Sequence, residues 1–216
     1  MKNIFRYERK FILNNNYSID KIESFFLKSK FNFMKQYDDR FVNSIYFDDK
    51  NLKSIRENLD GVSSKRKMRL RWYGEKNFIV NPNFEIKLKK GYLNTKKIFS
   101  LKKFSVIFSE KNLDLIYFRL LKKFNFLKNF KIISSTHYKR KYFISKNNKI
   151  RATADTEIFY KNLLEFDNFD LRKKDLRPIV EIKYDKINDD YVRNNLKNLT
   201  LRFSKNSKYI NSILAN

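Results

Sequence analysis

Cationic and apolar side chains alternate along KMRLRWYGE, residues 67–75. Lys67, Arg69 and Arg71 occupy every second position, and apolar residues fill the positions between them. Successive side chains of an extended chain point to opposite faces, so the three cations share one face. The planar guanidinium fork of arginine suits bidentate contacts with phosphate or carboxylate oxygens. The spacing therefore indicates a strand that binds an anion.

Four other strand-like segments mix cations with acids on one face. Alternation gives the sets Arg6, Glu8 and Lys10; Glu85, Lys87 and Lys89; Arg151, Thr153, Asp155 and Glu157; and Glu181, Lys183 and Asp185.

Two interpretations of these faces are open. An antiparallel sheet often has one face on the core and the other in water. Alternatively, the faces form a site that holds phosphate oxygens and a divalent cation bound through carboxylates. Arg69 and Arg71 stand close together in a chain where lysine dominates, and acids recur among the cations. Both features favour the second interpretation, in which a sheet that closes on itself would enclose the anion.

The surrounding pattern predicts one α+β domain over residues 1–216, dominated by antiparallel strands. Strands are predicted at 5–13, 40–49, 67–75, 83–90, 137–145, 149–159 and 177–185, with weaker signals at 95–100 and 163–169. Helices are predicted over 18–30, 109–127, 189–199 and 206–216, the first two beginning at a serine cap.

Composition limits the function classes. With 42% hydrophobic and 17% aromatic residues, the chain is not a disordered segment despite its net charge of +26. The excess of lysine with little glycine or proline is typical of an AT-rich genome, but it also favours a polyanionic partner. Absence of cysteine excludes thiolate chemistry. No apolar run reaches the roughly 18 residues of a membrane helix. Strand-like sequence begins at Ile4, which leaves no room for a signal peptide. We therefore expect a soluble cytoplasmic protein.

Seven short motifs occur in an order typical of one family. They are RYERKF (6–11), VNSIYFD (42–48), RLRWYG (69–74), FEIK (84–87), IRATADT (150–156), VEIK (180–183) and KNSKY (205–209). Together they resemble the VTC domain, the catalytic domain of the vacuolar transporter chaperone complex and its bacterial relatives. That family belongs to the triphosphate tunnel metalloenzymes.

The resemblance implies a closed, eight-stranded antiparallel β-barrel with flanking helices, whose tunnel binds a nucleoside triphosphate and builds polyphosphate with Mn²⁺ or Mg²⁺. The implied catalytic cations, which would contact phosphate oxygens, are Lys10, Arg69, Arg71, Lys87, Arg140 and Arg151. Glu181 would hold the metal. The implied further substrate-binding residues are Glu8, Lys96, Lys205, Ser207 and Lys208. Without the resemblance, Lys205 and Lys208 could equally belong to a solvated helix face.

One departure from the wider superfamily bears on the reaction. Its hydrolases and cyclases begin with E-x-E-x-K, whereas this chain has Arg6, Glu8 and Lys10. Losing an acid and gaining a cation favours transfer to phosphate over attack by water. A phosphate acceptor is already anionic and needs no general base, which agrees with the single histidine, His137, interpreted as structural.

The expected reaction is transfer of the ATP γ-phosphate onto inorganic polyphosphate with release of ADP. A separate membrane partner would be needed if the product crosses a membrane. Two alternatives stay open. One is a tripolyphosphate or nucleoside triphosphate hydrolase in which Glu8 and Glu181 orient water. The other is a non-catalytic RNA- or polyphosphate-binding protein, although acids on the cationic faces would repel a nucleic-acid backbone.

Overall fold

A computed structural model of the chain describes residues 6–90, 93–164, 173–196, 203–204 and 206–214. Its strands are β1 (Arg6–Ile12), β2 (Phe33–Asp49), β3 (Ser64–Tyr73), β4 (Phe78–Val80), β5 (Asn83–Lys90), β6 (Leu93–Ser100), β7 (Ser105–Ile107), β8 (Phe130–Ser145), β9 (Ile150–Asn162), β10 (Lys173–Asp175) and β11 (Ile179–Asp185). Its α-helices are α1 (Ile19–Leu27), α2 (Lys53–Leu59), α3 (Leu113–Leu121), α4 (Asp189–Leu196) and α5 (Lys208–Ile213).

The strands form one large sheet and one small sheet. The large sheet runs in the order β1-β11-β9-β8-β2-β3-β5-β6, with β10 paired to β9, and β4 pairs with β7 in the small sheet. The pairs β1–β11, β11–β9, β2–β3, β3–β5, β4–β7 and β5–β6 are antiparallel. This confirms the predicted α+β class with an antiparallel sheet. The strand order has two ends, β1 and β6, among the described residues, so the closed barrel is not confirmed.

Contacts group the chain into two compact units. The first unit comprises Met1–Arg40, Tyr138–Ile158 and Lys174–Asn206. Its core is the apolar face of β1, β9 and β11, where Phe11, Ile182 and Ala152 are almost fully buried beneath Phe26 of α1 and Val192 of α4. Ser18 caps α1 by accepting a hydrogen bond from Lys21 N, as its position in the sequence predicted.

The second unit comprises Phe41–His137, Phe159–Lys173 and Ser207–Asn216. Its main core is the apolar face of β2, β3 and β5, where Ile45, Leu70 and Phe84 pack with Ile116 and Leu120 of α3. Alternation along β3 therefore puts Met68, Leu70 and Trp72 on this core. The cations of β3 consequently lie on the opposite face. That residues 1–216 form one domain stays a prediction.

Several predicted boundaries differ from the structure. Strands β2 and β8 begin about seven residues earlier than predicted. The first half of β2 is mostly polar, and the start of β8, FKIISST, lacks a strict alternation of apolar and polar residues. The helix predicted over 109–127 is shorter: α3 is flanked by 3-10 turns at Glu110–Asn112 and Asn125–Asn129. Most of the weak strand at 163–169 and the end of the helix at 189–199 lie outside the described residues. Among the described helices, none combines the length and apolar character needed to span a membrane.

Candidate phosphate-binding site

The cations of β3 continue across two neighbouring strands of the second unit. Lys67 lies opposite Lys87 of β5, and Lys87 lies opposite Lys96 of β6. Residues directly opposite each other in an antiparallel pair share a face. These three lysines therefore form a row, which we call the lysine row. Like charges in such a row repel one another unless an anion lies between or above them.

Glu85 supplies a negative charge beside the lysine row. It lies opposite Arg69, whose Nε and Nη2 atoms are each 2.6 Å from Oε2, and Lys96 Nζ lies 2.7 Å from Oε1. Burial alone would raise the pKa of this carboxyl, but Arg69 and Arg71, with the hydrogen bond from Lys96, lower it to about 2. Glu85 is therefore ionised at neutral pH and fixes the orientation of two of the predicted phosphate ligands.

Arg71 is buried on the same face of β3. It lies opposite Ser44 of β2, whose hydroxyl is fully buried and has no hydrogen-bond partner among the residues that the structure describes. Buried polar atoms are nearly always hydrogen-bonded, so an orphaned hydroxyl beside a buried guanidinium points to a ligand or ordered water. The predicted phosphate ligand Arg71 thus lies in a water-poor position rather than on an open surface.

The short helix α5 lies against the same face of the sheet. Tyr209 packs with Tyr46 of β2, which lies opposite Arg69, and Lys67 Nζ donates a hydrogen bond of 3.0 Å to Ser207 Oγ. Ser207 also caps α5 by accepting from Ile210 N. The predicted ligands Ser207 and Lys208 therefore stand at the start of a helix beside the lysine row. Lys205 lies outside the described residues.

The first unit carries a second set of predicted residues on β1, β9 and β11. Two rows cross these strands: Lys10, Glu181 and Thr153 form one, and Glu8, Lys183 and Arg151 form the other. Lys183 Nζ is 2.9 Å from Glu181 Oε1 and 3.8 Å from Glu8 Oε1. Lys10 Nζ is 3.9 Å from Glu181 Oε2 and also donates to the backbone oxygen of Asn206 at 3.1 Å.

Glu181 is held in its charged form. Burial would raise the pKa of this carboxyl, but Lys183, Lys10 and Arg140 together keep it well below its usual range. Across the strand pair, Thr153 Oγ1 is buried and lacks a hydrogen-bond partner in the described part of the chain. An ionised carboxylate next to an orphaned hydroxyl is a suitable place for a polar ligand.

Arg140 of β8 is anchored by Asp155 of β9. Its Nε and Nη2 atoms donate to the two carboxylate oxygens at 2.6 and 2.8 Å. Burial opposes the charge of Arg140, but Asp155 raises the pKa of the guanidinium well above its ordinary value. This predicted phosphate ligand therefore has a bidentate carboxylate partner. Arg151, by contrast, is exposed.

A divalent ion would find only part of its ligand set in the protein. Within the described ranges there is no group of three or more His, Cys, Asp and Glu side chains that could hold a metal. Mg²⁺ characteristically takes one or two carboxylates and completes its shell with water and substrate phosphate oxygens. The ionised Glu181, with Glu8 on the next strand and the free hydroxyl of Thr153, fits such a partial set.

The structure thus divides the predicted residues between its two units. Lys10, Glu8, Glu181 and Arg140 come together in the first unit, and Arg69, Arg71, Lys87, Lys96 and Ser207 in the second. Lys67, Glu85 and Lys183 were predicted to lie on the charged faces but not in the site. Their contacts depend on strand register, which alternation alone does not give. His137 stacks on Phe41 and contacts Asn43, which agrees with a structural role.

Comparison with known proteins gives the fold and the family. Comparison with curated proteins finds no match. The PH1819 protein from Pyrococcus horikoshii OT3 has a TM-score of 0.51 at 15% identity, covering 96% of this chain and 95% of that chain. A Vibrio parahaemolyticus protein provisionally described as an adenylate cyclase has a TM-score of 0.56 at 13% identity, covering 98% of this chain and 99% of that chain. At these identities the likeness concerns the fold alone.

The family follows from a match over nearly the whole chain. The model of the VTC domain matches residues 5–215. This range includes all seven motifs and both sets of charged residues. The chain therefore belongs to the VTC domain family.

Proposed function

We propose that this protein is an ATP-dependent polyphosphate polymerase that transfers the γ-phosphate of ATP onto the end of an inorganic polyphosphate chain. The observation that carries the proposal is the arrangement of Arg69, Arg71 and Lys96 around the ionised Glu85, on a sheet face partly covered by α5. A solvated sheet face would need no such buried charge compensation. Membership of the VTC domain family supports the same reaction class.

The cations have a positioning and an electrostatic role. In phosphoryl transfer the protein mainly orients the reactants and stabilises charge. Two unit negative charges about 4 Å apart repel by roughly 4 kcal/mol at an effective dielectric constant of 20. Arg69, Arg71 and the lysine row offset this repulsion while they orient the phosphate oxygens. Their effect is strongest where water is excluded, as at the buried Arg71.

The proposed bond changes are balanced within the two phosphate compounds. An anionic oxygen of the terminal chain phosphate forms a new bond to the γ-phosphorus of ATP. The bond between that phosphorus and the oxygen bridging it to the β-phosphate breaks, and ADP leaves with the electron pair. The attacking oxygen carries no proton at neutral pH, so no general base is needed. This agrees with a chain that has one histidine and no cysteine.

Mn²⁺ or Mg²⁺ belongs to the proposal as the cofactor, with Glu181 as its protein ligand and Glu8 nearby. When bound, such an ion would neutralise charge on the substrate's phosphate oxygens. Lys183 and Lys10 keep Glu181 ionised, and a cation would compete with Lys183 for its oxygens. Lys10 and Arg140 of the same unit, which contact Glu181 and Asp155, are the proposed ligands of phosphate oxygens there.

The closed eight-stranded tunnel is also part of the proposal. Its support is the family, since the pairing of the described strands does not close the sheet. The proposed partners are ATP and polyphosphate. If the product crosses a membrane, a separate membrane protein would have to provide the channel. A cytoplasmic location also belongs to the proposal.

Product analysis tests the proposed function directly. Purified protein is incubated with ATP and Mn²⁺, with and without a short polyphosphate primer, and the products are separated on a polyacrylamide gel. We expect a ladder of polyphosphate and stoichiometric ADP. Orthophosphate without a polymer would instead indicate hydrolysis, with Glu8 and Glu181 orienting water. Salt-sensitive RNA binding without ATP turnover would support a binding protein and reject catalysis.

A further inference from the structure

The contact between Tyr209 and Asp48 joins α5 to β2 of the large sheet. Tyr209 Oη donates a hydrogen bond of 2.6 Å to Asp48 Oδ2, although the two residues are 161 positions apart. Asp48 is fully buried, and Tyr209 is 2% exposed. Burial raises the pKa of Tyr209, and the hydrogen bond to Asp48 raises it further. The hydroxyl therefore stays protonated and keeps donating over the whole physiological range.

Asp48 is held in place by contacts other than the one with Tyr209. Its carboxylate also accepts hydrogen bonds from the backbone nitrogens of Asp49, Ser54 and Ile55, at 2.9, 3.1 and 3.2 Å. These bonds tie it to the start of α2, whose own N-cap residue, Leu52, makes no side-chain capping bond. The acceptor that faces Tyr209 is thus held in one orientation by three backbone hydrogen bonds.

The contact between Tyr209 and Asp48 lies on the same face of the sheet as the predicted phosphate ligands. Ser44, Tyr46 and Asp48 alternate along β2, so they share a face, and Ser44 and Tyr46 lie opposite Arg71 and Arg69. Tyr209 packs on Tyr46 with ring centroids 5.1 Å apart. The contact therefore holds α5 on the cationic face of the sheet, away from the main core of this unit.

Ser207, two residues before Tyr209, contacts the lysine row. Lys67 Nζ donates to Ser207 Oγ and also lies 5.6 Å from the centroid of the Tyr209 ring. A helix of only six residues has little stability of its own, so its position depends on such tertiary contacts. The far end of α5 has a separate anchor, because Ser212 Oγ donates to Ser134 Oγ at 2.7 Å.

We propose that Tyr209 and Asp48 are positioning residues for phosphate binding: their contact fixes Ser207 and Lys208 beside Lys67, so that these side chains meet a triphosphate in one defined geometry. The inference rests on the proposed function and deepens it. Neither residue touches the substrate. Displacing ligands by about 1 Å can lower the rate of an enzyme about a hundredfold, so a small shift of α5 has a measurable effect.

Tripolyphosphate binding to three proteins tests the inference: wild type, Tyr209→Phe and Ser212→Ala. Tyr209→Phe removes one oxygen and keeps the ring on Tyr46, whereas Ser212→Ala removes the anchor at the far end of the same helix. Calorimetry is done at elevated salt, where contacts with exposed lysines are screened, and thermal melts record the stability of each variant. We expect Tyr209→Phe to raise the Kd for tripolyphosphate about tenfold and Ser212→Ala to change it less than twofold.

The possible outcomes separate the inference from the function on which it rests. If both variants weaken binding in proportion to their loss of stability, the role of Tyr209 is only structural and the inference is overturned. If Tyr209→Phe binds like wild type, the inference fails while the proposed function stands. If wild type itself binds no tripolyphosphate, both fail. Asp48→Ala removes the same contact from the acceptor side, and wild-type affinity in that variant, once folding is confirmed, also overturns the inference.

Discussion

Lys183 Nζ lies 2.9 Å from Glu181 Oε1, on the strand face where a metal ligand was predicted. The same ammonium lies 3.8 Å from Glu8 Oε1, so one cation serves two carboxylates. A divalent ion bound at Glu181 would have to compete with this ammonium for the carboxylate oxygens. In the proposed metal site, Lys183 would therefore lower the affinity of Glu181 for the ion, although it was not among the predicted site residues.

Replacing Lys183 by glutamine should strengthen the binding of Mn²⁺ in the absence of nucleotide. The substitution removes a competing positive charge beside Glu181, and we expect the Kd for Mn²⁺, measured by calorimetry, to fall several-fold. Lys186→Gln is the matched control, because Lys186 is an exposed lysine just beyond the same strand. Equal affinities of both variants for Mn²⁺ would show that Lys183 does not affect metal binding.

Replacing Arg69 or Arg71 by alanine should lower kcat/KM for ATP about a hundredfold or more, because one positioned donor to a developing charge commonly contributes that much. Arg66→Ala is the control on the same strand: Arg66 lies on the opposite face and stacks over Phe130. Circular dichroism checks that all three variants fold. Unchanged turnover in Arg69→Ala and Arg71→Ala would exclude both arginines from the active site.

Replacing Glu85 by glutamine should destabilise the protein in a pH-dependent way. The folded-state pKa of about 2 lies below the ordinary value of 4.5, and a shift of this size corresponds to about 3 kcal/mol. This stabilisation is complete above the ordinary pKa and is lost as the pH falls toward the folded-state pKa. We therefore expect the free energy of unfolding of wild type to exceed that of Glu85→Gln by about 3 kcal/mol at neutral pH. This difference in unfolding free energy should narrow below pH 4.5.

Urea denaturation at several pH values measures this difference. Glu57→Gln is the control, since the Lys53 partner of Glu57 is largely exposed at a distance of 3.9 Å. Such a surface pair contributes less than about 1 kcal/mol. A difference between wild type and Glu85→Gln that stays the same from neutral to acidic pH would show that Glu85 does not hold a depressed pKa in the folded protein.

Replacing Asp155 by asparagine should cost about 3 kcal/mol of unfolding free energy, because Arg140 would lose its charged partner in a buried position. The comparison variant is Asp175→Asn, which alters the equivalent pair with Arg177, a side chain 52% exposed. For Asp175→Asn we expect the unfolding free energy to fall by less than about 1 kcal/mol. Similar losses in both variants, measured by chemical denaturation, would contradict a buried role for the Arg140–Asp155 pair.

The strand faces could be predicted from sequence because a strand has a strict period of two. The alternation of Lys67, Arg69 and Arg71 with Met68, Leu70 and Trp72 specifies both faces of β3, and the structure puts each set where the pattern predicts. The α+β class follows from several such segments separated by helical patterns. The long polar start of β2 was missed because its residues bury little apolar surface.

Contacts between distant segments could not be predicted in the same way. Glu85 meets Arg69 because of the register between β3 and β5, and the chain between those strands includes the separate strand β4. Tyr209 meets Asp48 across 161 residues. Neither relationship leaves a periodic signal in the sequence. The KNSKY motif drew attention to Ser207 and Lys208, but it did not indicate that the following tyrosine anchors them.

A crystal structure with bound tripolyphosphate tests the central claim most directly. The claim is that the charged strand faces form a phosphate site rather than a solvated surface. We expect phosphate oxygens within hydrogen-bonding distance, about 3 Å, of Arg69, Arg71 and Lys87, with Ser207 beside them. Tripolyphosphate bound only to exposed lysines elsewhere, with Arg69 still held by Glu85 and no phosphate near Arg71, would contradict the claim.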